Sequence, residues 1–262
     1  MWLTKEQWDL TVALLAAAAW IPPIFSAVMK WRRRPVLTVD IGRYVEVGFT
    51  ELGPVLNMST AFTAEENILV NRIDIILKHE SGSEFNFRWH ELLEVRGMVA
   101  TNSSTQPIYQ EAEAIAMKIL ATDFKSVVLR NRLEAHTDRL HDLNTGWTEE
   151  RRRLENSGAY NPDSFNASRV TYDISTFLSS QMIWRSGVYR MSFRIKNSGN
   201  AKVQVAPSSF SLSDSDIILL NENAANLPRY LKNACLSNTD REAEKLHLDW
   251  HWLIKAATKV GA

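Results

Sequence analysis

Apolar and polar positions alternate in three different ways along this chain, and each way predicts a different element. From Leu10 to Met29 there are twenty consecutive residues without a charge. As a helix rising about 1.5 Å per residue, that stretch would span about 30 Å, the thickness of a bilayer hydrocarbon core. From Val36 onward, short segments alternate with period two. From Thr239 to Val260 the apolar residues recur every three or four positions.

The first pattern reads as a membrane anchor. A cleaved signal peptide carries its basic charge before the apolar run and small residues at its exit. Here the leader holds Lys5, Glu6 and Asp9, whereas Lys30, Arg32, Arg33 and Arg34 follow the run. Positive charge at that end predicts an uncleaved single-pass helix in the cell (inner) membrane, with the N-terminus outside and the remaining chain cytoplasmic. Trp8 and Trp31 bracket the span at headgroup level, and Pro22 and Pro23 predict a kink. Membrane lipid is then the first expected partner.

The second pattern predicts strands. Val36–Ile41, Tyr44–Phe49, Val55–Phe62, Leu69–His79, Phe85–Trp89, Val188–Lys196, Lys202–Val205 and Asp216–Leu220 are rich in β-branched and aromatic residues. Ser81-Gly82-Ser83 and the run 197–200 carry turn chemistry, so two hairpins are expected. In 187–196, Tyr189, Met191, Phe193 and Ile195 share one face, and Arg190, Ser192, Arg194 and Lys196 the other. A half-exposed sheet ordinarily looks like this. Short strands and close turns favour an antiparallel β-sandwich of immunoglobulin-like layout.

Two regions depart from that plan. Residues 107–177 combine helix formers in 110–121, a strand-like run in 124–129 and a charged helical stretch in 133–156, so they read as a polar, partly helical insertion. At the far end, Ala243, Leu246, Trp250, Leu253, Ala257 and Val260 fall on one helical stripe. That stripe would pack on the sandwich or on a second copy of the chain.

Composition narrows the function classes. Thirty basic residues balance thirty acidic ones, which argues against an extended nucleic-acid face. A single cysteine, Cys235, excludes an intramolecular disulfide and fits a reducing compartment. Arg151–Arg153, set among Glu149, Glu150 and Glu155, reads as a solvated helix face. The only metal-like spacing is His247 and His251, one helical turn apart, with Glu244 and Asp249 nearby. The zincin pattern is absent there, and His136 and His141, five apart, would point from different faces. Nucleophile elbow, P-loop and dinucleotide fingerprint are also missing from the sequence.

The resulting expectation is a mainly β protein with one N-terminal transmembrane helix. An anchor and basic segment occupy 1–35, a cytoplasmic β-sandwich with an insertion at 107–177 occupies 36–225, and a C-terminal amphipathic helix occupies 226–262. Its expected role is binding, scaffolding or sensing without catalysis, with no catalytic, cofactor or metal residues and no cofactor. A protein partner or homo-oligomer is expected, and nucleic acid is not. The alternatives are a metal-dependent hydrolase using His247 and His251 or an extracellular receptor-like domain.

Overall fold

The computed structural model describes residues 18–25, 34–100, 105–236 and 245–260. Among them, twelve strands join in one sheet rather than the two facing sheets of a sandwich. In chain order they are β1 (Val36–Thr50), β2 (Gly53–Ala64), β3 (Ile68–His79), β4 (Glu84–Ala100), β5 (Thr105–Glu113), β6 (Met117–Ile119), β7 (Lys125–Leu133), β8 (Gly187–Asn197), β9 (Lys202–Val205), β10 (Ser208–Leu212), β11 (Leu253–Ala256) and β12 (Thr258–Lys259). Four α-helices pack with them, α1 (Glu134–Asn156), α2 (Pro162–Asn166), α3 (Arg169–Ser180) and α4 (Asp214–Cys235), besides a 3-10 turn at Ser198–Asn200 and the helical residues 18–25.

The sheet runs β11-β1-β2-β7-β4-β3-β8-β10-β12 and curls into a half-barrel. Its inner face follows from the period-two alternation. Val45, Val47 and Phe49 of β1, Leu56, Met58 and Phe62 of β2, and Ile73, Ile75 and Leu77 of β3 are all buried in one cluster. Leu220, Leu227 and Leu231 of α4 and Ile174 and Leu178 of α3 belong to the same cluster, so the helices fill the concave side. Each such side chain contributes about 1.5–3 kcal/mol on burial. The C-terminal segment then ties the two sheet edges together, because β11 pairs with β1 and β12, two residues later, pairs with β10.

Several expectations need correction. The single sheet replaces the immunoglobulin-like sandwich. β7 is a central strand between β2 and β4, so 125–133 belongs to the sheet and the helical excursion is 134–180. The turn at 197–200 does not close a hairpin: β9 crosses over to pair in parallel with β1. Asp216–Leu220 is helical. Ser213 accepts from the Asp216 N–H while the Asp216 carboxylate accepts from the Ser213 N–H, a capping box that starts α4 just before the apolar run. α4 also runs through the boundary expected at 225/226.

The C-terminal helix is likewise overturned. Residues 245–252 are extended and lead into β11 and β12, whereas 239–244 lie outside the described residues. A hydrogen-bonded place at the β1 edge outweighs helix propensity here, and the stripe that would have docked a second copy does not exist, so the homo-oligomer or protein partner expected there lacks support.

Among the described residues no helix is long and apolar enough to cross a membrane. Of Leu10–Met29 only 18–25 is described, and eight helical residues rise about 12 Å where a crossing needs about twenty residues. The rest of that segment lies outside the described residues. On this finding the single-pass topology, the inner-membrane address with a cytoplasmic domain, the lipid partner and the extracellular alternative are all corrected.

Candidate functional site

The outer, convex face of the half-barrel carries a hollow built by two neighbouring rungs of the sheet. In the first rung Gly48 of β1 stands opposite Val55 of β2, which stands opposite Arg132 of β7. In the second, Glu46 stands opposite Asn57, Asn57 opposite Arg130, and Arg130 opposite Glu91 of β4. The missing side chain at Gly48 makes room for the Trp252 ring, and the short Val55 leaves space between its longer neighbours. Thr50, Glu51 and Leu52 border it at the β1–β2 turn, and Trp250 and Trp252 complete the wall. The hollow, open on one side, has a volume of about 210 Å³.

Both tryptophans come from the extended C-terminal segment, which α4 grips by its backbone. The Asn223 side chain accepts from the His251 N–H at 2.7 Å and donates to the His251 carbonyl at 2.8 Å. Asn233 does the same for Leu246, both bonds being 2.8 Å, and Asn226 donates to the Asp249 carbonyl at 2.8 Å. A side-chain amide that serves both backbone groups of one residue acts as a neighbouring strand would. Five such bonds contribute about 1 kcal/mol each. Lys255 adds an ion pair to Asp216 at 2.6 Å, and His251 one to Glu222 at 3.1 Å.

Glu91 organises the charges on the cleft floor. It accepts from Arg132 at 2.6 Å and from Arg130 at 3.2 Å, while Arg130 also reaches Glu111 at 3.1 Å. Burial alone would raise the Glu91 pKa, but the Arg130 hydrogen bond and the Arg132 charge outweigh it and hold the carboxyl below its ordinary value. The group stays ionised and carries no proton near neutrality. Beside it, His90 is pushed below its ordinary value by burial and by Arg132.

Asn57 is the unsatisfied group of the site. It is 6% exposed, and its Nδ2 donates to Glu46 at 3.3 Å. Its Oδ1 is buried and has no hydrogen-bond partner among the described residues. An unmade hydrogen bond of this kind costs about 1–3 kcal/mol. Other buried side chains also have an unpaired atom, Asn131 among them, but Asn131 lies in the packed interior whereas Asn57 lines a cavity.

The residues singled out by sequence fall elsewhere. His247 is almost fully exposed and pairs with Asp249 at 2.9 Å, while His251 turns to Glu222. Glu244 lies outside the described residues. Among the described residues no three His, Cys, Asp or Glu side chains gather to hold a metal, so the hydrolase alternative is corrected. Cys235 is buried, and burial pushes its thiol up, away from nucleophilic use. Arg151 is not merely solvated: besides pairing with Glu155, it donates to the Ala234 carbonyl at 2.6 Å and lies over the Trp147 and Tyr160 rings. His136 is buried and stacks on Phe177, whereas His141 is on the exposed face of α1.

Sequence reasoning missed Asn57, Glu91, Arg130, Arg132, Trp250 and Trp252. A usable signal lay in Leu129-Arg130-Asn131-Arg132-Leu133, whose period-two alternation marks a strand with two cations on its outer side. Trp250-His251-Trp252 repeats the same period. No family model, no curated protein and no solved structure matches the chain.

Proposed function

We propose that this chain is a binding domain that holds a small planar molecule in the cleft beneath Trp250 and Trp252, without transforming it. The observation that carries this reading is the buried, unpartnered Oδ1 of Asn57 in the cavity wall. The atom is closed to solvent, so a small turn of the Asn57 amide would bring it to a ligand N–H, which would satisfy it. Arg130 and Arg132 meet Glu91 and Glu111 through one terminal nitrogen each, and each guanidinium has five N–H donors, so an acceptor on the same ligand edge would be served too. An amide or lactam edge has that donor–acceptor pair. The two indoles supply faces against which a flat ring stacks.

The absence of reaction chemistry in this proposal rests on Glu91. A carboxylate held ionised by two guanidiniums is a poor proton carrier, and the cleft wall includes no Ser, Cys or His that could serve as a nucleophile with its base.

The test is ligand-observed NMR on the full-length chain with uracil and nicotinamide as probes, repeated on Asn57→Leu and Trp252→Ala. Saturation transfer to either probe that is lost in both variants supports the reading. Transfer that persists in both, or no transfer with the unaltered chain at millimolar probe, overturns it.

A further inference from the structure

A second part of the convex face carries charge that the fold does not explain. In the β3–β8 ladder, Lys78 stands directly opposite Arg190, and Arg72 directly opposite Lys196. Between them Arg194 faces Asp74, but the buried Asp74 carboxylate already accepts from Arg72 at 2.8 and 2.7 Å and lies beside Arg88. Arg72 and Arg88 are both also bonded to Glu134. On its other side Lys78 stands opposite Glu84, without an ion pair between them.

Lys78, Arg190, Arg194 and Lys196 are thus exposed cations that form no ion pair among the described residues. Like charges directly opposite each other, with side chains about 5 Å apart, destabilise a sheet. At Arg72 the ion pairs to Asp74 and Glu134 offset that cost, but Arg190, Arg194 and Lys196 have no such partner among the described residues, and Lys78 meets Glu84 only as a cross-strand neighbour. A polyanion laid across these four cations would neutralise them.

We infer that this face binds double-stranded nucleic acid through its phosphates, independently of base sequence. The two like-charge rungs are six residues apart, about 20 Å along the strand, enough to reach phosphates on either side of a groove about 12 Å wide. The composition of the face selects this occupant. Ile76, half-buried, is the one apolar side chain facing outward between the rungs, so the apolar centre of a protein interface is missing. No aromatic residue stands among those outward positions, so the stacking platform on which single strands are held is missing as well. A formal net charge of zero hides this surface: Asp74 and Glu134 on the same face are taken up by Arg72 and Arg88, which leaves Glu84 beside four exposed cations.

Fluorescence anisotropy of a labelled 20-base-pair DNA duplex with the full-length chain tests the assignment at several salt concentrations. With four phosphates neutralised, the logarithm of the association constant falls against the logarithm of salt with slope about −3.6. Lys78→Glu and Lys196→Glu each reduce the slope by about 1. Lys196→Glu also raises Tm, because its repulsive pair with Arg72 becomes an attractive one, whereas Lys78→Glu exchanges repulsion from Arg190 for repulsion from Glu84 and leaves Tm about where it was; a fall in Tm in neither variant shows that lost binding is not lost folding. Scrambling the duplex sequence leaves affinity unchanged. The assignment is overturned by any of three results: no duplex binding at 50 mM salt, undiminished binding by the double variant, or a single strand or polyglutamate binding as tightly as the duplex.

Discussion

Trp252 covers Gly48 so closely that a Cβ added to the glycine would stand 2.6 Å from the indole Cζ3 and 2.8 Å from Cε3. The backbone of Gly48 does not need a glycine for its conformation. Its small size serves the indole on the convex side, while its carbonyl accepts from the Trp184 Nε1 at 2.9 Å.

Gly48→Ala should therefore displace Trp252 and cost about 1–3 kcal/mol, the usual penalty for overpacking. Urea denaturation measures the loss, and weakened probe binding in the NMR assay shows that the cleft wall has moved. An alanine variant as stable as the parent would show that Trp252 is not seated on Gly48.

The asparagines of α4 make the next prediction. Asn223→Ala removes both bonds to His251 and leaves its N–H and carbonyl without those partners, for a loss of about 2–3 kcal/mol. Asn226→Ala removes one exposed bond and should cost about 0.5 kcal/mol. Hydrogen exchange should quicken along 246–256 in the first variant and hardly change in the second.

Acid sensitivity follows from His136. Its ring is buried, and burial lowers its pKa below 6.5, with the Gln181 side chain opposing in part. The unfolded chain takes up a proton near pH 6.5 that the folded chain refuses, so folding stability falls as pH drops below about 6.5, by up to about 1.4 kcal/mol per pH unit for this group. His90, lowered in the same direction, adds to the slope. Thermal melts between pH 7.5 and 5 should show the decline, and His136→Phe should flatten it relative to the parent.

Asp216 acts at lower pH. Burial would raise its carboxyl, but the Lys255 ammonium and the Ser213 N–H and hydroxyl hold it below 3.8. Its contribution is thus present above about pH 3.8 and lost as pH falls through the lowered value. Asp216→Ala should cost about 2 kcal/mol at neutral pH through the lost cap of α4, and more if the Lys255 pairing also counts. Chemical denaturation at pH 7 and pH 3 compares the two chains, and the difference between them should narrow at the lower pH.

Which parts of this architecture were legible in the sequence depends on how local their causes are. Val45-Glu46-Val47 and Ile73-Asp74-Ile75 announce strands because inner and outer faces alternate within a few residues. The cap of α4 was equally local. Ser213 with Asp216 three residues on marks a helix start, yet the apolar Ile217–Leu220 that follows reads as a strand if the cap is overlooked. The tail is different in kind. Leu246, Trp250 and Leu253 have helical spacing, but their conformation is set by Asn223 and Asn233 and by the β1 edge, partners distant in sequence. The cleft was illegible for the same reason: Gly48, Asn57, Arg130 and Trp252 converge only after four strands take their register.

The way β11 and β12 bridge β1 to β10 also bears on how the molecule is made. β1 leaves the ribosome first among these strands, and β11, which covers the far half of its free side, leaves eleventh of the twelve. Throughout synthesis Tyr44–Val47 offers bare backbone donors and acceptors, a template on which a neighbouring nascent chain could add a strand. The exposed side chains of Tyr44 and Glu46 at that border, one bulky and one charged, are the protection available until Leu253 arrives to occupy it.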